Sequence, residues 1–422
     1  MNKNIAKKTF SSEYSEALVR LLKRPTNPKL GLERMRSLLA LIGFKKTCPI
    51  VQVVGTNGKG STVAFIESIA MAHGMKTGLF VSPHLSCARE RIRLDKNLIS
   101  HEDFAHAADF VLDKAKNMTD EPSFFECVLA MALHVFDKHN VDLIILEAGL
   151  GGRLDATTAV QPDILGISMI DLDHQNILGA TLDAIAREKM AAAYAHEKVI
   201  SVRQKPEVVT ALHDGAAQIQ GDLMWSKPCL LALGLKGHHQ RDNAGLAIDL
   251  LHHLGIKLEP KKLEEGLLLV SWPGRFEVIR LNEQEIILDG AHNPSGIEAL
   301  IKTLQSQYDL SKTSLVLVYG SLKGPNAFTK TKLVAALAPS VKTLFVHSPN
   351  NPRAMLDDEL RLACEDAGFS KQIIKTYTDW TAVMACAKMS GALILVCGSL
   401  YTVGHIRAEI MGLERDPEMP NF

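Results

Sequence analysis

The chain has 422 residues, 46% hydrophobic and 22% charged, which suits two or three soluble globular domains with ample cores. Its 47 Lys+Arg balance 47 Asp+Glu, arguing against a general nucleic-acid binder, and no apolar run approaches the length of a membrane span. Seven scattered cysteines, odd in number and without a C-x-x-C pair, fit free thiols in a reducing compartment, and residues 1–12 lack the apolar run of a secretory signal, so a cytoplasmic protein is expected.

Residues 13–43 read as helical, broken by the loop chemistry of Arg24-Pro25-Thr26-Asn27-Pro28 and reopened by Gly31-Leu32-Glu33-Arg34. Ile50-Val51-Gln52-Val53-Val54 is short, apolar and β-branched, the pattern of a buried parallel strand. It runs into Gly55-Thr56-Asn57-Gly58-Lys59-Gly60-Ser61, and residues 61–72 then read as a helix. Strand, glycine-rich turn and helix together cradle phosphates. Glycines let backbone N–H groups approach phosphate oxygens, and the helix N-terminus adds partial positive charge. Lys59 can reach terminal phosphates, and a Ser61 or Thr62 hydroxyl can face magnesium. The extra Gly60 departs from the usual G-x-x-x-x-G-K-[ST] pattern.

Residues 79–81 predict a second strand ending in Ser82-Pro83-His84, and residues 101–119 and 123–138 predict helices. Glu126 follows Phe124-Phe125, and a surface or snorkelling glutamate is the default there. Residues 141–147 read as a buried strand ending in Glu147, with glycines at 149, 151 and 152 behind it. A carboxylate at a strand tip beside a phosphate loop is placed for magnesium coordination. Residues 163–171 predict the next strand, ending near Asp173-His174. Parallel strands with right-handed crossovers would carry Ser82, Glu147 and His174 to the same edge as the phosphate loop.

Thr181 is a candidate N-cap for a helix over 182–190, in which Lys189 alone would be a solvated lysine. Residues 198–201 read as a strand, and 203–235 as a helix with edge strands. The pair His238-His239 matches no zinc spacing and is not assigned to metal. Trp272-Pro273-Gly274-Arg275 breaks the composition and marks a domain junction. Beyond it, strands over 286–289, 315–319, 344–346 and 393–397 alternate with helical segments near 295–307, 327–338, 356–367 and 380–388. The fold class expected is α/β. An N-terminal phosphate-loop ATPase domain with a mostly parallel sheet (1–272) precedes a smaller, doubly wound, Rossmann-like domain (276–422).

Taken together, Leu30-Gly31-Leu32-Glu33-Arg34, the loop 55–61, Ser82-Pro83-His84-Leu85, Phe125-Glu126, Glu147, Asp155-Ala156-Thr157, Leu172-Asp173-His174, Arg187-Glu188-Lys189, Asn243-Ala244, Pro273-Gly274-Arg275, Asp289-Gly290-Ala291-His292-Asn293-Pro294 and Cys397-Gly398-Ser399 resemble the dihydrofolate synthase/folylpolyglutamate synthase family, relatives of the Mur ligases. The resemblance implies an ATP-dependent ligase that adds L-glutamate to dihydropteroate and to reduced folates through an acyl phosphate. It implies that Thr56, Asn57, Gly58, Lys59, Gly60 and Ser61 hold ATP phosphates, with Asn243, Arg275 and Asp289 also on the nucleotide. Ser82, Glu147 and His174 would ligate Mg2+, joined by Lys189 as a carbamoylated lysine, and Lys59, Glu147, His174 and Lys189 would serve catalysis. Lys29, Leu30, Gly31 and Leu32, with Ser123, Phe124, Phe125 and Glu126 and with Leu154, Asp155 and Ala156, would line the pterin site. A monomer working on small molecules, without nucleic acid or membrane partners, is implied. Gly320-Ser321-Leu322-Lys323-Gly324-Pro325 departs from the Asp-Lys-Asp run common in relatives, and Lys29 stands where bifunctional members often place a carboxylate. The alternatives are a folylpolyglutamate synthase alone, a Mur-type ligase on a UDP-linked precursor, or a nucleotide-binding module without ligase chemistry. The short segment before the loop argues against the Mur-type ligase.

Overall fold

A computed structural model of the chain describes residues 12–25, 31–195 and 197–416. Two sheets organise it. The first has eight strands: β1 (Ile50–Val54), β2 (Thr77–Phe80), β3 (Ile92–Leu94), β4 (Asn97–Leu98), β5 (Leu143–Glu147), β6 (Ile164–Ile167), β7 (Lys198–Ser201) and β8 (Asp222–Trp225), in spatial order β4-β3-β2-β5-β1-β6-β7-β8. From β2 to β8 all neighbours are parallel, and the β3–β4 hairpin closes one edge antiparallel.

The second sheet has six strands: β9 (Glu277–Leu281), β10 (Gln284–Leu288), β11 (Leu315–Tyr319), β12 (Val341–Val346), β13 (Ile374–Thr376) and β14 (Leu393–Cys397), in order β13-β12-β11-β14-β10-β9. Only the β9–β10 pair is antiparallel.

Side-chain alternation decides which core each strand residue joins. Ile50, Phe80, Ile144 and Leu146 face the helices Ser12–Leu22, Glu33–Leu41, His101–Ala115 and Phe124–Lys138. Val51, Val53, Leu79, Leu143 and Ile145 face the helices Lys59–Ala72, Gln240–His253 and Pro260–Leu268. Both faces of β1 and β5 are therefore buried, which is why their sequences are mostly apolar rather than alternating, apart from the buried Gln52 and the strand-end Glu147. No described helix is long and apolar enough to cross a membrane. All seven cysteines are free and five are buried.

Several expected elements change. The strand expected over 163–171 ends at Ile167. Its continuation bends back over the phosphate loop, where the Met169 carbonyl accepts from the Thr56 and Asn57 N–H groups at 2.9 and 3.0 Å. The Thr56 hydroxyl also bonds the Asp171 carbonyl and N–H at 2.9 and 3.0 Å, so Met169 and Asp171 are paired with the loop, while the Ser168 N–H still reaches Val54 of β1 at 2.9 Å. Sequence reading also missed β3, β4, β9, β13 and the helix Leu400–Met411. The four strands are edge elements or short pieces whose side chains lack the continuous apolar run of the central strands.

Glu126, expected at the surface, is 3% exposed. Its carboxylate accepts from Arg34 Nε at 3.1 and 2.8 Å and from the Ser123 N–H and hydroxyl at 2.8 and 2.7 Å. The Ser123–Glu126 capping box starts helix Phe124–Lys138 and fixes helix Glu33–Leu41 to it through Arg34. Removing one partner of a buried pair strands the other charge. Glu126→Ala is therefore expected to cost about 3–5 kcal/mol of folding stability, read as a lowered denaturation midpoint.

Candidate active site

The carboxyl ends of β2, β5, β1 and β6 lie side by side, because these strands are adjacent and parallel. Their following residues therefore gather on one edge of the sheet, as expected of ligand crevices in open α/β sheets. The phosphate loop leaves β1 there. Gly58 has φ +93° and caps helix Lys59–Ala72. A Cβ on Gly58 would also stand 2.4 Å from Asn243 Oδ1, so this position needs glycine for both conformation and space. Asn243 is buried and bonds Gln240 at 2.9 Å, and Gln240 reaches the Ser61 hydroxyl at 3.3 Å. Lys59 folds back over its own loop, donating to the Gly55 and Thr56 carbonyls at 3.2 and 3.4 Å.

Lys189 is not the solvated lysine its helix alone suggests. It is 3% exposed, and its amine donates to the Gly55 carbonyl at 2.8 Å. Burial, reinforced by the nearby charge of Lys59, lowers its pKa to about 7 against the opposing pull of Asp173, Asp155 and Glu188. Close packing places it there. A Cβ on Gly152 would lie 2.8 Å from the Lys189 carbonyl oxygen and 2.9 Å from its Cα, so the loop after β5 touches the backbone of helix Leu182–Met190.

Glu147 ends β5 with its carboxylate 7% exposed. One oxygen accepts from the Ser82 N–H at 3.2 Å, and the other lies 3.6 Å from where a Cβ on Gly60 would sit. Burial raises its pKa, while Lys59, the Ser82 N–H, Arg275 and Arg91 act the other way. A dry carboxylate with one hydrogen bond and spare lone pairs beside a phosphate loop suits magnesium, which takes one or two carboxylates and completes its shell with water and phosphate oxygens. His174 lies in the segment after β6 and is exposed. Desolvation by surrounding groups lowers its pKa, and the charges of Lys59, Lys189 and Arg353 add to that against Asp173. Among the described residues no three His, Cys, Asp or Glu side chains converge as a ready-made metal cage.

The second domain closes over this edge. Asn57 bonds Ser295 at 2.8 Å and exchanges hydrogen bonds with Asn293 at 3.2 and 2.9 Å. Asn293 also donates to Asp173 at 3.2 Å. Asp289 accepts from the Phe276 and Ala291 N–H groups, both at 2.8 Å, tying the 274–276 turn to the end of β10. Burial raises its pKa, opposed first by Arg275. Arg275 is half-buried and donates to the Gly274 carbonyl at 3.2 Å.

The remaining expected positions form a neighbouring group. Lys29 and Leu30 lie outside the described residues; Gly31 and Leu32 precede helix Glu33–Leu41, which packs on the segment Ala156–Val160 and on helix Phe124–Lys138. Phe125 packs on Phe80 at 5.4 Å between ring centroids and closes over Gly149. Asp155 accepts from the Leu150 N–H at 2.9 Å and the Thr157 N–H at 3.0 Å, Leu154 is half-buried, and Ala156 is buried. Phe124 is fully buried, so it and Glu126 shape the wall from behind.

Sequence reading missed Arg91, which is 3% exposed, donates to His84 Nδ1 at 2.9 Å, and sits 5.3 Å from the Phe124 ring centroid. It also missed Gln240 and Ser295. Arg91 reaches the site only because β3 folds back on β2, a hairpin with no strong local signal. Gly152→Ala must displace backbone rather than a flexible side chain. It is expected to cost about 1–3 kcal/mol in stability and to weaken binding of an ATP analogue, checked by thermal denaturation and calorimetry.

Residues 274–400 match the family model described as Mur ligase, glutamate ligase domain. The chain is 31% identical over 417 residues to the dihydrofolate synthase/folylpolyglutamate synthase of Bacillus subtilis, covering 90% of this chain and 95% of that one. It is 32% identical over 431 residues to a probable bifunctional folylpolyglutamate synthase/dihydropteroate synthase of Halobacterium salinarum, covering 93% of this chain but only 51% of that relative. Thus it spans about half the length of the archaeal protein. The folylpolyglutamate synthase of Mycobacterium tuberculosis, solved with ADP and AMPPCP, superposes with a TM-score of 0.84 at 26% identity, covering 96% of this chain and 99% of that one. With its two mostly parallel sheets and a phosphate loop at their seam, the chain belongs to the dihydrofolate synthase/folylpolyglutamate synthase family, within the Mur ligases.

Proposed function

We propose that the protein is an ATP-dependent ligase that joins L-glutamate to the carboxylate of dihydropteroate, and to that of reduced folates, through an acyl phosphate. The observation that carries this reading is Lys189, a buried amine with a pKa near 7, bonded to the Gly55 carbonyl beneath the phosphate loop of a chain in this family. A simple nucleotide-binding module has no use for such a group, because burying an ammonium is costly. A lysine that is partly neutral at pH 7 is a nucleophile for carbon dioxide. The resulting carbamate would give the site a second anionic oxygen ligand near Glu147.

A carboxylate resists attack by an amine because oxide is a poor leaving group. In the proposed reaction a carboxylate oxygen of the pterin substrate attacks the γ-phosphorus of ATP, the bond to the β,γ-bridging oxygen breaks, and ADP leaves. The amino group of glutamate then attacks the acyl carbon, phosphate departs, and the amine proton passes to solvent. Lys59 and the N–H groups of the loop 55–61 hold the phosphates and neutralise charge as it moves, while Asn243 supports the loop behind Gly58. Ser82, Glu147, His174 and modified Lys189 are the residues that would hold Mg2+, which supplies charge neutralisation at the phosphates. Arg275 and Asp289 would approach the nucleotide from the junction, taken at 273–275 between an N-terminal domain (1–272) and a C-terminal domain (276–422). Phe125, Asp155 and the neighbouring segments would receive the pterin and its aminobenzoate. Contact of Asn57 with Asn293 and Ser295 supports a closed arrangement that keeps water from the acyl phosphate. The enzyme is read as a monomer acting on small molecules, and the free cysteines support a cytoplasmic one.

ADP release with magnesium, ATP and L-glutamate is expected with both dihydropteroate and tetrahydrofolate, each product gaining one glutamyl unit by mass. Release with tetrahydrofolate alone would reduce the assignment to folylpolyglutamate synthase, and no pterin-dependent release would overturn it. Lys189→Ala is expected to lower turnover by about 10²–10³, the scale of losing an electrostatic group at a reacting centre.

A further inference from the structure

Helix Ala327–Val334 follows β11 in the second domain and packs against helix Pro294–Gln307, whose N-terminus meets the phosphate loop through Asn293 and Ser295. On it stands Lys330, a lysine that sequence reading did not single out and that is only 6% exposed. Among the described residues its amine makes no hydrogen bond or ion pair. Such deep burial is unusual for a lysine, and here the stem is covered while the amine is left without a protein counter-ion.

Its surroundings locate the amine. Asp173 is the opposing charge that acts on it, and the amine in turn depresses the pKa of His292. Helix Ala327–Val334 packs on the helix that Asn293 caps, so Lys330, buried on it, lies within electrostatic reach of the seam where Asn57, Asp173, His292 and Asn293 meet. Asp173 does not serve as its counter-ion. One of its oxygens accepts from the His174 N–H at 2.8 Å, and the other from Asn293 Nδ2 at 3.2 Å with His292 Nε2 at 3.9 Å. Nearby His174 and His292 both have lowered pKa values, desolvation being the first cause, so neither competes as a cation. Burial lowers the pKa of Lys330 to about 8, with Asp173 pulling the other way, so at neutral pH it keeps its proton in most molecules.

We infer that Lys330 is a substrate-facing cation contributed by the second domain, placed to meet an anionic oxygen at the seam between the phosphate loop and helix Pro294–Gln307. The oxygen belongs either to the terminal phosphate of ATP or to a carboxylate of the incoming amino acid. The inference rests on the proposed ligase reading and adds a residue to that site. It gives the buried charge its missing partner only when substrate is bound. It also makes the second domain a participant in recognition, because the helix carrying Lys330 moves with that domain. An ammonium whose counter-ion arrives with substrate would favour closure of the two sheets around it.

The test compares Lys330→Met and Lys330→Gln, which remove the charge, with Lys330→Arg, which keeps it, and with Lys332→Met on the exposed side of the same helix. Dissociation constants for ADP and for AMPPCP, measured by calorimetry with magnesium, require no turnover and therefore read Lys330 even if the pterin assignment fails. The expected result is that both neutral variants weaken AMPPCP relative to ADP by about tenfold or more, the scale of one charge-assisted hydrogen bond, with Lys330→Arg and Lys332→Met near wild type. An unchanged AMPPCP-to-ADP ratio with a similar rise in KM for L-glutamate would support the same cation and assign it to the amino acid. Wild-type values on both measures in either folded neutral variant would overturn the inference, and thermal midpoints show which variants are folded.

Discussion

A single amine bonded to a single carbonyl lies at the centre of the first domain. Lys189 donates to Gly55 at the point where β1 becomes the phosphate loop, and that contact exists only because two other conditions hold. Gly152 lets helix Leu182–Met190 come against the loop after β5 at backbone distance, and the parallel order β2-β5-β1-β6 places the ends of those strands in one row. Dehydration then does the chemical work. The same burial that lowers the affinity of Lys189 for a proton raises that of Glu147, so two dehydrated groups of opposite charge type stand near the loop.

At the phosphate loop the second domain is joined to that edge by polar contacts, and beside them Leu85 packs against Gly274 and Gly404. Asn57, Asn293, Ser295 and Asp173 make a short chain of hydrogen bonds from the phosphate loop to the N-terminus of helix Pro294–Gln307. Such contacts can be exchanged for water at little net cost, as is usual for contacts between domains of one chain. Farther from the site the coupling has a firmer character. Glu414 pairs with Arg89 and His101, and the Tyr14 hydroxyl donates to Asp416, so the end of the described chain is fastened to the first domain's helical side.

Several of the candidate positions are legible because they sit on strong local patterns. The apolar run of β1, the glycines after it and the helix beyond are adjacent in sequence, and Ser82, Glu147 and His174 each follow an apolar run that reads as a strand. Glu126 misled for the opposite reason. A charge beside two phenylalanines reads as snorkelling, whereas its real partner, Arg34, lies 92 residues away. Lys189, Arg91 and Lys330 were equally silent in their own segments, since each is an ordinary basic residue on a helix or short strand until another element covers it.

The sequence by itself determined the class of the fold, the strand, glycine-rich loop and helix at 50–72, and the presence of a second α/β pattern in the C-terminal part of the chain. These follow from periodicity, glycine placement and strand-end chemistry, all of which act over a few residues. Only the tertiary structure decided which charges are dry. Whether a lysine is solvated or stripped of water depends on backbone packing such as that at Gly152 and on a domain arriving from more than a hundred residues away. Desolvation, rather than residue type, is what sets Lys189, Glu147 and Lys330 apart from ordinary surface charges.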